Sequence, residues 1–318
     1  MTTNQILCGN SLDVLRTLPD ASVRMCVTSP PYYGLRDYGV EGQLGVEETP
    51  SEYIEKLVEI FREVKRVLTD DGTLWLNIAD SYAGSGKGIW GKPIYERKPC
   101  KNSYLCDNTN ETAKMPKRWS GIKTKDMIGI PWMLAFALRE DEWYLRSDII
   151  WQKPNAMPEN VHDRPSKSYE HIFLLAKSAK YFYDDRAIAE PISPITVERY
   201  KRKVSHTNKY AHDKSNQALF KGRDNSLLMN QETRNKRDVW SVSTNSYRMD
   251  NHFAMFPEKL IEPCILAGSQ FGDTVLDPFF GSGTTGAVAK RFGRYFIGID
   301  LKREYCEAAE KRISEVVT

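Results

Sequence analysis

Two short stretches of this chain combine residue types and spacings that suit chemistry. The first is Ser29-Pro30-Pro31-Tyr32. The preceding run Arg24-Met25-Cys26-Val27 predicts a short buried strand. Two prolines end it, since neither can donate a backbone hydrogen bond and both fix φ. The residue before each proline is also pushed away from helix. What results is a stiff, extended corner whose free polar groups are the Ser29 hydroxyl and the Ser29 and Pro30 carbonyls, with the ring of Tyr32 following. Acceptors beside a flat ring suit a planar donor group, such as the amino edge of a nucleobase. From these residues alone, a plain strand-ending turn is an equally good reading.

The second stretch is Asp277-Pro278-Phe279-Phe280-Gly281-Ser282-Gly283-Thr284-Thr285, followed by Asp300. Thr274 to Leu276 predicts a buried strand, and the loop after it opens a helix running to Arg291. Glycines between a strand and a helix let the backbone approach a ligand, and the helix N-terminus offers free N–H groups to an anion. Asp300 ends the next strand, Tyr295 to Ile299, where an acid can bind ribose hydroxyls. The pattern describes an adenosine-type cofactor carrying an anionic group. Gly281-x-Gly283-x-x-Gly286 also meets the dinucleotide spacing, so a nicotinamide cofactor stays open. The Asp-Pro-Phe-Phe lead separates the two, because a dinucleotide fingerprint places its first glycine directly after the strand.

The elements that must position these stretches read as α/β. Gln5 to Cys8 predicts a strand and Leu12 to Leu18 a small helix. Thr49-Pro50-Ser51-Glu52 is a capping box with proline at the first helical position. Ile54, Leu57, Val58, Phe61, Val64 and Leu68 then fall at helical spacing. Asp70-Asp71-Gly72 predicts its end, before a buried strand from Thr73 to Ile78. Further helices are expected over Pro131–Leu138, Glu258–Ala267 and Glu304–Val316. Tyr144–Trp151 and Glu170–Leu175 predict a hairpin at the sheet edge, and His162 and His171 read as structural. Strands alternating with helices indicate a mostly parallel sheet.

Two segments break this rhythm. Residues 81–125 and 193–248 are rich in Lys and Arg, the first with Tyr95, Tyr104 and Trp119 interleaved and the second rich in Asn and Gln. Arg, Asn and Gln can read purine edges, and Lys and Arg can hold phosphates. Solvated surface and a polar linker are the plainer readings. Gly84-Ser85-Gly86-Lys87-Gly88 lacks the spacing and the Lys-Ser or Lys-Thr ending of a phosphate loop. The predicted organisation is a discontinuous catalytic domain (1–80, 126–192 and 249–318), a basic insertion (81–125) and a target-recognition region (193–248).

Composition agrees with a soluble protein: 318 residues, 41% hydrophobic, 27% charged, net charge +3. No apolar run is long enough to span a membrane and no signal-peptide pattern opens the chain, so a cytoplasmic protein without a membrane partner is expected. Six cysteines without a Cys-x-x-Cys pair predict free thiols and no metal site.

Taken together, the two motifs resemble those of the DNA amino-methyltransferases. Ser29-Pro30-Pro31-Tyr32 is similar to their catalytic (Asp/Asn/Ser)-Pro-Pro-(Tyr/Phe/Trp), and Asp277 to Thr285 to their cofactor motif. The resemblance covers nearly the whole chain outside the two basic segments. It implies a Rossmann-like methyltransferase fold, α/β with a mostly parallel twisted sheet and helices on both faces, plus irregular basic insertions for DNA. It implies S-adenosylmethionine as cofactor and double-stranded DNA as partner, and it leaves a cognate restriction endonuclease and a homodimer open. Ser29, Pro30, Pro31 and Tyr32 are the implied catalytic residues. Asp277, Pro278, Phe279, Gly281, Gly283 and Thr284 are the implied cofactor loop, with Asp300 on the ribose. Phe253 and Phe256-Pro257 resemble the motif beside the cofactor's methionine. Asn10 stands where many relatives have an aspartate on the adenine.

The motif order, catalytic before cofactor, resembles the beta group and places target recognition in 193–248. Within the family, Ser-Pro-Pro-Tyr goes mostly with cytosine N4 and Asp-Pro-Pro-Tyr with adenine N6. Cytosine N4 is therefore the expected target and adenine N6 the alternative. A catalytically silent DNA-binding subunit and a methyltransferase acting on RNA or protein glutamine are the competing classes.

Overall fold

The computed structural model describes residues 4–35, 39–83, 122–195, 233–244 and 256–316. In chain order the elements are β1 (Gln5–Cys8), α1 (Ser11–Thr17), β2 (Val23–Thr28), α2 (Pro50–Val67), β3 (Leu68–Ile78), α3 (Ile130–Glu140), β4 (Tyr144–Gln152), β5 (Tyr169–Ala176), β6 (Glu190–Pro191) and β7 (Thr233–Arg234). There follow β8 (Val239–Ser241), α4 (Glu258–Gly268), β9 (Thr274–Asp277), α5 (Thr284–Arg291), β10 (Tyr295–Asp300) and α6 (Arg303–Ser314).

Local chemistry accounts for the boundaries. Asn10 caps α1, its Oδ1 accepting from the Leu12 and Asp13 N–H groups at 2.9 and 3.4 Å. The capping box of α2 forms in both directions between Thr49 and Glu52. The buried stripe of α2 includes Tyr53, Leu57, Phe61 and Val64.

Eight strands form one sheet in the order β1-β10-β9-β2-β3-β5-β4-β8. The pairings from β1 through β3 are parallel; β3/β5 and β5/β4 are antiparallel; β4/β8 is parallel. Both faces are covered. Cys26, Leu74 and Leu76 lie in a core with residues of α1, α2 and α3. Their alternates Met25 and Trp75 face the other way, where Gly268 of α4 lies against both. On that side α4, α5 and α6 pack in sequence.

Two expectations change. β3 starts at Leu68, directly after the helix, and Asp70-Asp71-Gly72 lies inside the strand, in an irregularity where the register jumps between the pairs Val23–Leu68 and Met25–Thr73. The β4/β5 hairpin is not the sheet edge. β8 adds outside it, because Trp240 is buried against Trp75 at 6.4 Å and Trp151 Nε1 donates to the Val242 carbonyl at 2.8 Å. That strand falls inside the expected target-recognition region 193–248, yet it belongs to the sheet.

The chain divides into two compact units, residues 1–184 with 238–318, and residues 185–237. In the second, β6 pairs antiparallel with β7, and Glu190 forms ion pairs with Arg234, Lys236 and Arg237 at 3.3 to 3.6 Å. Most of the basic insertion (84–121) and of the target-recognition region (196–232 and 245–248) lies outside the described residues, as does Phe253.

Candidate active site

The connection from β2 through α2 leads to β3 on one side, and that from β9 through α5 leads to β10 on the other. β2 and β9 are neighbours, so their C-terminal ends flank a topological switch point, where an open α/β sheet leaves a crevice. The two motifs leave the sheet there. Thr28 Oγ1 donates to Asp277 Oδ1 at 2.6 Å and ties one strand end to the other.

After β2, the corner is held from behind. The buried Tyr53 hydroxyl donates to the Pro31 carbonyl at 2.7 Å. Gly34 N donates to the Gly45 carbonyl at 2.8 Å. Gly45 has φ 91°, and a Cβ there would lie 2.8 Å from the Tyr32 carbonyl oxygen, so this close approach requires glycine. The Pro30 carbonyl receives no protein hydrogen bond among the described residues. Ser29 Oγ is 3.2 Å from Tyr32 Oη, which lies 2.6 Å from Glu170 Oε2 and 3.3 Å from Asn77 Oδ1. Glu170 is ion-paired with Lys153 and accepts from Asn77 Nδ2 at 3.1 Å. Burial, then the Glu170 carboxylate, raises the Tyr32 phenol well above its ordinary pKa.

After β9, hydrogen bonds define the loop. The Asp277 carboxylate is 1% exposed and accepts from Thr28 Oγ1, Thr285 Oγ1 (2.6 Å) and Phe279 N (3.0 Å). Burial pushes its pKa up to about 6, against the pull of those donors. Ser11 Oγ donates to the Pro278 carbonyl at 2.6 Å. Asp300 accepts from Gly281 N at 2.8 Å and Lys302 N at 2.9 Å; its pKa is raised by burial. Gly283 has φ 77°, and a Cβ would sit 2.8 Å from Ala309 Cβ of α6. The buried Arg312 donates to Thr284 Oγ1 at 2.9 Å and to Glu258 at 2.8 Å, holding the loop from below.

Both strand ends open on one cavity of about 1010 Å³. Ser29, Pro30, Pro31 and Tyr32 line it on one side. Asp277, Pro278, Phe279, Gly281, Thr284, Asp300, Phe256 and Asn10 line it on the other. Among the described residues, Gly283 is the one expected site residue absent from the lining; its place is against α6. The volume suits a nucleoside-sized cofactor together with a planar base. Asp300, half-buried with lone pairs beyond its two backbone donors, fits the ribose diol of an adenosine cofactor.

Glu170, Asn77, Lys153 and Tyr53 have no role at the site on sequence alone. Their one local signal is a polar side chain in an apolar strand run, as at Asn77 and Glu170. Their partners come from distant segments.

A DNA methylase family model matches residues 23–311. The chain is similar to the Type II methyltransferase M.Cfr9I of Citrobacter freundii, 46% identical over 96% of this chain and 86% of that protein. It is 42% identical to M.SmaI of Serratia marcescens over 97% of this chain and 90% of that one. Among solved structures, the cytosine-N4-specific PvuII DNA methyltransferase matches with a TM-score of 0.63 at 18% identity, covering 98% of this chain and 86% of that one. An M1.HpyAVI–SAM complex matches with a TM-score of 0.53 at 18% identity, covering 97% and 98%. At these identities the structural likeness is one of fold.

Proposed function

The chain belongs to the DNA methylase family and is an S-adenosylmethionine-dependent DNA methyltransferase; from that premise we propose that its target is the N4 amino group of a cytosine flipped out of duplex DNA. The observation that carries the reading is that Ser29 and Pro30, whose hydroxyl and carbonyl are acceptors, line the same cavity as Asp300.

An exocyclic amino nitrogen is a poor nucleophile because its lone pair is delocalised into the ring. Ser29 Oγ and the Pro30 carbonyl each accept one of its N–H bonds and hold the nitrogen in the geometry for attack. That is positioning and electrostatic preorganisation. The Tyr32 ring lies against the extruded base. S-adenosylmethionine, when bound, supplies a methyl group already activated by its sulfonium. Asp300 holds its ribose, Asn10 its adenine, and Phe256, Pro278 and Phe279 its apolar surface. Gly281 and Thr284 supply loop backbone. Asp277 and Gly283 act by shaping that loop, since the carboxylate of one is satisfied by protein donors and the other packs on α6. No cysteine nucleophile is needed.

The basic segments 81–125 and 193–248 hold the DNA, with Lys and Arg on phosphates setting register. A restriction endonuclease of the same specificity is the partner that the Type II relatives suggest, and the enzyme works in the cytoplasm, where its DNA is.

Nucleoside mass spectrometry of plasmid DNA incubated with the protein and S-adenosylmethionine tests the reading. N4-methylcytosine is expected. N6-methyladenine would keep the site and the mechanism but remove the link between Ser29 and the base.

A further inference from the structure

The polar cluster behind the Ser29 corner has a direction that the reaction described above does not use. Glu170, ion-paired with Lys153, offers only acceptor oxygens. Tyr32 Oη, 2.6 Å from Glu170 Oε2, is therefore the donor in that bond. A phenol has one proton, so toward Ser29 Oγ at 3.2 Å the same oxygen accepts and Ser29 donates. Asn77 adds no competing donor: its Nδ2 faces Glu170 Oε2 and the His171 carbonyl, both at 3.1 Å, which turns its Oδ1 toward Tyr32. The Ser29 proton points inward, and the lone pairs of Oγ are what the cavity meets. Burial and the Glu170 charge raise the Tyr32 pKa, which keeps the phenol proton in place.

We infer that Lys153 and Glu170 are positioning residues that, through Tyr32, hold the Ser29 hydroxyl as an acceptor for the target amino group. The inference rests on the placement of that amino group at Ser29. A serine hydroxyl rotates with little resistance. Turned outward, its proton would oppose the N–H of the base, donor against donor. The Lys153–Glu170 pair prevents this from two residues away.

Glu170→Gln tests the direction. Lys153 keeps the amide oxygen, the amide nitrogen donates to Tyr32, and the phenol proton turns away from residue 170, toward Ser29 Oγ and Asn77 Oδ1. We expect kcat to fall about 100-fold, the range for one misplaced active-site hydrogen bond, with cofactor affinity unchanged. Tyr32→Phe in that background releases the Ser29 hydroxyl to rotate, and the double variant is faster than Glu170→Gln alone. A structural role predicts the opposite, a double variant slower than either single. Wild-type kcat in Glu170→Gln, or no recovery in the double variant, overturns the inference.

Should Glu170→Gln fail to bind cofactor, as a misfolded variant would, Lys153→Met takes its place. Without that ammonium Glu170 is no longer held against Tyr32, and kcat is expected to fall about 10-fold with cofactor affinity unchanged. A wild-type kcat in Lys153→Met overturns the inference. Inactive wild-type enzyme in the same assay would strike the proposed function; an active wild type with the wrong variant pattern strikes only the relay.

Discussion

The two strand ends that face each other across the crevice are made rigid in opposite ways. After β2, rigidity is covalent. Two prolines remove backbone donors, and the corner is held from behind by Tyr53 and the Gly45 loop. Ser29 and Pro30, which carry its acceptors, line the cavity. After β9, rigidity comes from hydrogen bonds. Asp277 and Asp300 accept from Thr28, Thr285 and the backbone of the loop itself. A target site needs acceptors in readiness, and a polar group left unpaired is tolerable only where a substrate or water reaches it. A cofactor site needs a shaped backbone, and buried acids serve to fold it. The Thr28–Asp277 bond is where the two designs meet.

The comparison breaks most sharply at the target corner. Pro31→Ala and Tyr32→Ala should each lower methyl transfer by about 100-fold or more, with cofactor Kd nearly unchanged by calorimetry. Loss of cofactor binding in both would show that the ends do not divide the work. Asp300→Ala should do the converse, weakening cofactor binding by about 10- to 100-fold, the range for a charge-assisted hydrogen bond. Unchanged affinity would remove Asp300 from the site.

Thr28→Val keeps the shape but leaves Asp277 Oδ1 with one donor. A cost of about 1–2 kcal/mol in unfolding free energy is expected, and both kcat and cofactor Kd should worsen. An effect on only one of them would mean that the ends are not coupled through this bond.

A further effect concerns pH. Burial holds Asp277 at about 6, above its ordinary 3.8. The native state therefore keeps a proton that the unfolded chain has lost between those values. This group's contribution to stability is full below about pH 4, falls as pH rises to about 6, and is flat beyond. Asp277→Asn has no such titration, so its Tm relative to wild type should rise by a few degrees between pH 4 and 7. A difference that stays constant across that interval would show that the carboxyl is not destabilised by its burial.

Much of this was legible from local pattern. The capping box of α2 lies where Thr49-Pro50-Ser51-Glu52 put it, because capping is chemistry within four residues. β1 and β10 follow from apolar runs between turn formers. Ser29 to Tyr32 line one cavity with most of the loop after β9, though Gly283 and Thr285 do not. Other features had no local signal. β8 is three residues long and becomes a strand only because Trp240 finds Trp75 and β4 finds a free edge. Glu170 sits 138 positions from Tyr32, and in sequence it is merely the acid before an apolar run.

The sequence by itself determined the backbone chemistry at the two strand ends, since proline geometry, glycine freedom and apolar periodicity act over a few residues. Tertiary structure alone decided that those ends are neighbours, that Asp277 faces inward and Asp300 outward, and that Glu170 stands behind Tyr32. Those facts depend on strand order, and strand order is settled by which buried faces pack together along the whole chain.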